Sequence, residues 1–549
     1  MDATMTSAAT APGTAPPDLR AHVAELERRG KLVRVTRPID KDTELHPLVR
    51  WQFRGLLEPQ RRAFLFEQVT DRRGRRFDIP VVVGALAGSE EIYALGLGCA
   101  PDDIPAYWER ALAAPIAPVI VDSGPVQEVV HVGDSLLEHG GLDEFPVPIS
   151  TPGFDNAPYF NSAAWFTRDP ETGIRNMGVY RAQIKAPLRT GLFCDSRGNT
   201  TAIWEKCNQR GIALPAAAVI GSPPPVYYAA IQIMPMGVDE LGAAGALAGR
   251  PIELVRCKTV PLEVPAYAEI VVEGIIRTDV LEPEGSFGEA HGYCDPRTLS
   301  FSFEVTCITH RRNPLFLSIL SQLTPSESSK TKQAGYESQA LRHLRENCGL
   351  RGVLRVSLTE DLLNRQCGVV VLRKENQYEP MNALYALLNM RQLPKVLIAV
   401  DEDVDPTNHT MLIWAIVNRS QPHRDFRIIY PRQIQFGPLG QVANGENYDR
   451  QDSAVLIDAT RKADFPPVSL PAREYMEHAR AIWEELGLPE LQPRTPWYGY
   501  SLGHWPEENQ QEAELAVLGR YYETGAKLMA QQQPAPPGTR IRDVRTNVV

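Results

Sequence analysis

Between residues 140 and 310 the chain breaks into short runs rich in β-branched and aromatic residues: "AAWFTRD", "IRNMGVYRAQIK", "AAAVIGS", "VYYAAIQI", "IELVRCKTV", "AEIVVEGII" and "FEVTCITH". Closely spaced strands with Pro and Gly breaks predict a β-barrel-like domain, with one helix at "TTAIWEKCNQRG". On either side the pattern changes. From "LRAHVAELERRGKLVRV" an amphipathic helix with Leu19, Val23, Leu26 and Leu32 near helical spacing leads into a strand, and "AFLFEQV", "IPVVVGAL" and "VQEVVHVG" follow, with a helix at "AYWERALAA". Beyond a helical stretch at "QAGYESQALRHLRENCG" come the strands "GVLRVSL", "GVVVLRK", "KVLIAVD", "RIIYP" and "AVLIDAT", with helices such as "MNALYALLNMR" between them. Alternation of this kind predicts layered α/β units.

The expected fold is therefore a multidomain α/β protein. Residues 1–17 form a disordered extension, 18–135 an N-terminal α/β domain, 136–312 the β-barrel-like domain and 313–348 a linker helix region. Residues 349–470 form a C-terminal α/β domain, and 471–549 the terminal helices and tail, expected to pack on another subunit. A chain of 549 residues is too long for a single core. Its net charge of -10 argues against a nucleic-acid or anionic-membrane partner and for small-molecule ligands. Eight cysteines without a CxxC pair predict neither a disulfide framework nor a structural zinc site, and fit a reducing cytoplasm. The most apolar stretch, residues 212–233, carries four prolines and reads as core strands joined by a turn, with no membrane span. The N-terminus lacks the basic start and apolar centre of a signal peptide.

Generic nucleotide and hydrolase motifs are missing: there is no GxxxxGK[ST] and no GxSxG, and "GAAGALAG" at 242–249 reads as a small-residue helix against a sheet. His291 and Cys294 make a single HxxC pair, which is more often structural than ligating. The segment "EPEGSFGEAHGY", 282–293, holds Glu284 and Glu289 five apart among glycines. Two such acids brought together cannot both ionise cheaply, so one can stay protonated as a general acid if an arginine stabilises the other. Taken alone, the segment reads as readily as a solvated turn.

A second stretch changes that balance. "NMGVYR" at 176–181, "MPMGVDELGAAGALAG" and "EGSFGEAHGY", in this order and with the flanks "AEIVVEGII", "DEDVDPTNHTMLIWAIVNR" and "AVLIDAT", closely resemble the UbiD family of non-oxidative decarboxylases over about residues 20 to 490. The resemblance implies a split β-barrel domain that binds prenylated FMN. By it, Asn176, Val179, Tyr180 and Arg181 lie along the cofactor, Leu192, Phe193, Cys194, Arg197 and Gly198 line it, and Met234 and Pro235 form a turn approaching it. Asn176 and Glu240 would ligate a divalent cation, usually Mn2+, with K+ as a further candidate ion. Gly198 or Asn199 falls where some relatives place a histidine as third ligand, which leaves the full ligand set open.

The catalytic set implied is Arg181, Glu284 and Glu289, with Glu289 as the proton donor and Arg181 orienting the substrate carboxylate. Loss of CO2 from an sp2 carbon needs a cofactor electron sink, and in the family the flavin forms a covalent adduct with the substrate. The function expected is reversible decarboxylation of an aromatic, heteroaromatic or α,β-unsaturated carboxylic acid. A non-catalytic flavin-binding scaffold, and an enzyme working mainly as a carboxylase or on a thioester-activated acid, stay open as alternatives. A separate flavin prenyltransferase would supply the cofactor, and a homo-oligomer, dimer or hexamer, is expected.

Overall fold

The computed structural model describes residues 14–540 except 196–197, 296, 359–365, 391–393, 433–451, 490, 492–502, 536 and 538–539. The chain divides into two compact units, residues 1–400 with 420–459, and residues 401–419 with 460–549. No helix among the described residues is long and apolar enough to cross a membrane.

In the first unit, a four-stranded sheet orders Leu32–Val35, Ala63–Phe66, Val81–Val83 and Phe316–Leu317. Helix Leu19–Arg28 starts where Asp18 caps the Ala21 N–H at 2.8 Å, and buries Leu19, Val23 and Leu26. Residues 14–17, read from sequence as part of the extension, are packed: Ala15 is buried and its carbonyl accepts from Arg250 at 3.0 Å. The packed chain thus begins before residue 18, because Arg250 supplies donors that a bare Pro/Ala segment lacks.

The β-rich middle is a ten-stranded antiparallel sheet. Its main path runs Arg175–Val179, Ala164–Arg168, Leu214–Ile220, Ile270–Ile276, Thr298–His310, Arg189–Leu192, Ala182–Ala186 and Tyr159–Phe160. The expected split barrel does not appear as a closed sheet: among the described residues the end strands Arg175–Val179 and Tyr159–Phe160 do not pair. Thr298–His310, 13 residues long, takes Ile270–Ile276 along one edge and divides the other between Arg189–Leu192 and Val129–Val132.

"VYYAAIQI", expected as a strand, is instead a helix, Pro224–Ala230. Two prolines occupy its first turn, where a missing N–H costs nothing and the fixed φ is helical. All seven residues are buried, so no amphipathic period marks it in sequence. "GAAGALAG" is helical as expected, within Glu240–Ala248, and a Cβ on Gly245 would stand 2.4 Å from the Ile116 carbonyl oxygen. The C-terminal five-stranded sheet orders Val353–Ser357, Cys367–Leu372, Val396–Asp401, Asp452–Asp458 and Phe426–Arg432, and helix Glu379–Leu388 buries Ala383, Leu384 and Leu387 against the same core.

The second unit contains helices His409–Arg419, Arg473–Glu485, Glu507–Val517 and Tyr521–Ala530, of which the last three bury no residue. Within it Arg419 is buried with Asp403 at 2.6 Å and Asp401 at 3.1 Å.

Candidate active site

Arg181 follows strand Arg175–Val179 and precedes Ala182–Ala186, so the turn between two sheet strands fixes its backbone. The Arg181 carbonyl accepts from the Phe193 N–H at 3.1 Å, tying that turn to the neighbouring strand's end. The guanidinium, 7% exposed, meets three carboxylates: Glu289 at 2.5 Å, Asp295 at 3.0 Å and Glu284 at 3.2 Å. It also lies 4.2 Å from the Phe193 ring centroid and 5.0 Å from that of Phe287. Burial opposes its charge, but Glu289, Glu284 and Asp295 outweigh burial and hold it above the usual arginine range.

The glycine-rich segment supplies Glu284 and Glu289, and the strand that follows it supplies Asp295. Strand Glu282–Glu284 pairs with the start of Thr298–His310, and then a hairpin sets Phe287 opposite Asp295 and Gly288 opposite Cys294. Gly285, at φ +109°, turns the chain between the two in a backbone conformation closed to residues with a Cβ. Glu284 is fully buried over Gly191, where an added Cβ would stand 2.8 Å from the Glu284 Cγ. Burial pushes the Glu284 carboxyl up, against the pull of Arg181. Asp155 braces the hairpin, accepting from the Gly288 N–H at 2.9 Å and the Thr151 N–H at 2.7 Å. His291 bonds Asp295 at 2.9 Å, while Cys294 is exposed, so the HxxC pair serves the hairpin.

Arg181 and Glu289 face a cleft of about 250 Å³. Of the residues expected around the cofactor, Asn176, Val179, Tyr180, Phe193, Gly198, Met234 and Glu240 line it. Leu192, Cys194 and Pro235 stand off its walls, and Arg197 lies outside the described residues. Asn199, Asp195, Gln232, Lys332 and Tyr336 line it as well. Lys332 and Tyr336 come from helix Glu327–Arg342, whose approach is tertiary and left no motif in the sequence. Gly198 caps helix Asn199–Gln209, whose first turn opens onto the cleft with the positive end of its dipole.

Asn176 donates to the Thr200 hydroxyl at 3.0 Å, which leaves its amide oxygen as the atom for a ligand. Glu240, at the start of helix Glu240–Ala248, is 2% exposed and accepts from the Met177 N–H at 3.0 Å. Burial pushes its carboxyl up to about 8, so its ionised form there is costly unless a cation stands beside it. Two oxygen donors on one cleft thus fit a hard divalent ion. On the far side of Glu289 a second hollow of about 320 Å³ is lined by Thr151, Tyr293, Gln322 and Leu323. Gln322 and Leu323, which precede helix Glu327–Arg342, line this hollow together with Glu289.

Three family models cover the chain: the Rift-related domain of 3-octaprenyl-4-hydroxybenzoate carboxy-lyase over 119–323, its C-terminal domain over 332–459 and its N-terminal domain over 23–112. The chain belongs to the UbiD family, and with it to the carboxy-lyases. It is similar to the UbiD-class enzyme HmfF from Pelotomaculum thermopropionicum, solved in complex with FMN, at 29% identity and TM-score 0.73 over 84% of this chain and 99% of that one. An evolved dimeric form of HmfF in complex with prFMN matches at 30% identity and TM-score 0.71, over 83% and 97% of the two chains. The vanillic acid decarboxylase of Sedimentibacter hydroxybenzoicus, in closed form, matches at 25% and 0.73, over 86% and 99%. An uncharacterized protein of Aquifex aeolicus is 28% identical over 504 residues, 86% of this chain and 99% of its own length.

Proposed function

We propose that the chain decarboxylates an aromatic, heteroaromatic or α,β-unsaturated carboxylic acid, reversibly, with prenylated FMN bound in the cleft at Asn176 and Arg181. The observation that carries this reading is the buried Arg181 with Glu284, Glu289 and Asp295 at one wall of that cleft. A flavin-binding scaffold has no need of three acids on one guanidinium.

Prenylated FMN held in the cleft by residues such as Asn176, Tyr180 and Arg181 would supply the electron sink that loss of CO2 from an sp2 carbon demands. The chain's residues do the rest. Lys332 and the N-terminus of helix Asn199–Gln209 attract the cofactor's phosphate. Asn176 and Glu240 would hold a divalent cation such as Mn2+ through their oxygen donors, with K+ as a further candidate ion. Arg181 orients the substrate carboxylate through its fork of N–H groups. Arg181 meets two buried carboxyl groups, Glu284 and Asp295, and the half-buried Glu289, and burial at Glu284 favours keeping a proton on the cluster. Glu289, the member of the trio that lines the cleft and the adjoining hollow, delivers the proton to the carbon that CO2 has left. Gln322 and Leu323, across the hollow, contact the substrate's far side.

The reaction class requires a flavin prenyltransferase upstream as cofactor supplier, and the exposed terminal helices support assembly as a homo-oligomer. The test is co-expression with such a prenyltransferase and manganese, followed by the mass and absorbance of the released cofactor and by CO2 release from a panel of aryl and acrylic acids. A flavin bearing the extra prenyl-derived ring, with CO2 released from at least one acid, is expected. Loaded protein that releases none would move the reading to the scaffold.

A further inference from the structure

The central sheet carries a second cluster of chemistry-bearing side chains, none of which lines the cleft. His131 stands on strand Val129–Val132, opposite Ile308 on Thr298–His310, so His131 and His310 are diagonal neighbours on one face. Glu144 ends the short turn Gly141–Glu144 and reaches both imidazoles. Its Oε1 lies 3.5 Å from His310 Nε2, its Oε2 lies 3.6 Å from His131 Nε2, and the two Nε2 atoms are 3.3 Å apart.

Three features of this cluster point to a ligand. His310 Nδ1 is 2.7 Å from the Arg311 carbonyl oxygen, which can only accept, so the ring proton sits on Nδ1 and Nε2 presents its lone pair. Glu144 Oε2 is buried without a hydrogen-bond partner, a cost the fold does not otherwise explain. The separations, 3.3 Å between the two Nε2 atoms and 3.5 and 3.6 Å from the two carboxylate oxygens to one imidazole each, lie near those of a tetrahedron, in which ligands about 2.0–2.1 Å from a zinc ion stand about 3.4 Å from one another. An octahedral ion at a similar bond length would draw adjacent ligands closer, to about 3.0 Å. The exposed His139, its ring centroid 4.7 Å from that of His131, stands at the open side of the cluster.

We propose that His131, Glu144 and His310 form a tetrahedral site for a zinc-class divalent ion, with His139 or water in the fourth position. Two imidazoles and one carboxylate are the donor set such an ion takes, whereas the oxygen pair Asn176 and Glu240 suits a harder one. The ion clips the Gly141–Glu144 turn to the edge of the sheet, so it acts on stability and leaves the cleft's chemistry alone.

Chelator-stripped protein titrated with Co2+ alone, then with Zn2+, tests this. The expected result is one Co2+ per chain with the intense visible bands of tetrahedral coordination, displaced by Zn2+, and a melting temperature that rises with Zn2+ concentration. Glu144→Gln weakens the binding by about tenfold or more, and the His131→Gln/His310→Gln pair abolishes it. Glu240→Gln, in the cleft, leaves the tetrahedral spectrum in place. Should the double variant fail to fold, the half-exposed Glu144→Gln decides the question. Tetrahedral bands absent from the wild type, or present with equal affinity in Glu144→Gln, would overturn the site. His131 would then simply donate its Nε2 hydrogen to His310.

Discussion

Arg181 is the residue on which the site turns, and two substitutions separate its charge from its shape. Arg181→Met leaves Glu284, Glu289 and Asp295 facing one another without a cation, a loss of about 3–5 kcal/mol in stability on the usual cost of a broken buried pair. Urea unfolding at neutral pH reads it. Arg181→Lys keeps the charge but cannot bond two acids and a substrate at fixed angles, so we expect a folded protein with turnover reduced by about a hundredfold. Arg181, Glu284 and Glu289 were legible in the sequence because two short stretches, "NMGVYR" and "EGSFGE", carry them. Asp295 was not, since it enters only through the hairpin register that sets it opposite Phe287. Lys332 and Tyr336 are equally silent in sequence, as the approach of their helix to the cleft is a tertiary fact.

Elements hold those residues through a few close approaches. Gly191 lies under Glu284, so Gly191→Ala is expected to displace that carboxylate and reduce turnover while leaving the sheet's pairing with Thr298–His310 intact. Circular dichroism beside CO2 release distinguishes the two effects. The 321–330 loop is anchored by Glu327, fully buried, whose carboxylate accepts from the Gly84 and Leu86 N–H groups at 2.9 Å each. Burial pushes its carboxyl from 4.5 up to about 7, despite those bonds. The unfolded chain ionises this group from about pH 4.5 and the folded chain only near 7, so stability is full below that window and falls as pH rises through it. On the linkage relation the loss is about 2–4 kcal/mol, and Glu327→Gln is expected to flatten the slope between pH 5 and 8 in denaturant titrations. The strands of the C-terminal sheet were readable because their apolar runs are long and bounded. Pro224–Ala230 was misread because a wholly buried helix carries no period to distinguish it from a strand.

The whole molecule presents apolar residues that a single chain leaves uncovered. Helix Tyr521–Ala530 exposes Tyr522 at 78% and Met529 at 70%, and Arg473–Glu485 buries nothing. Such faces fit helices that cover a second copy. On the proposed assembly, Tyr522→Glu with Met529→Glu is expected to give a smaller species by light scattering than the unchanged chain, with the cleft's cofactor retained. The decisive measurement for the central claim is the single-turnover rate of CO2 release by Glu289→Gln, loaded with the same cofactor as the wild type. The account predicts an unchanged cofactor spectrum and a rate lower by about 10²–10⁴-fold, the range for loss of a positioned acid. A loaded variant that turns over at the wild-type rate would contradict it, and the proton would have to come from elsewhere.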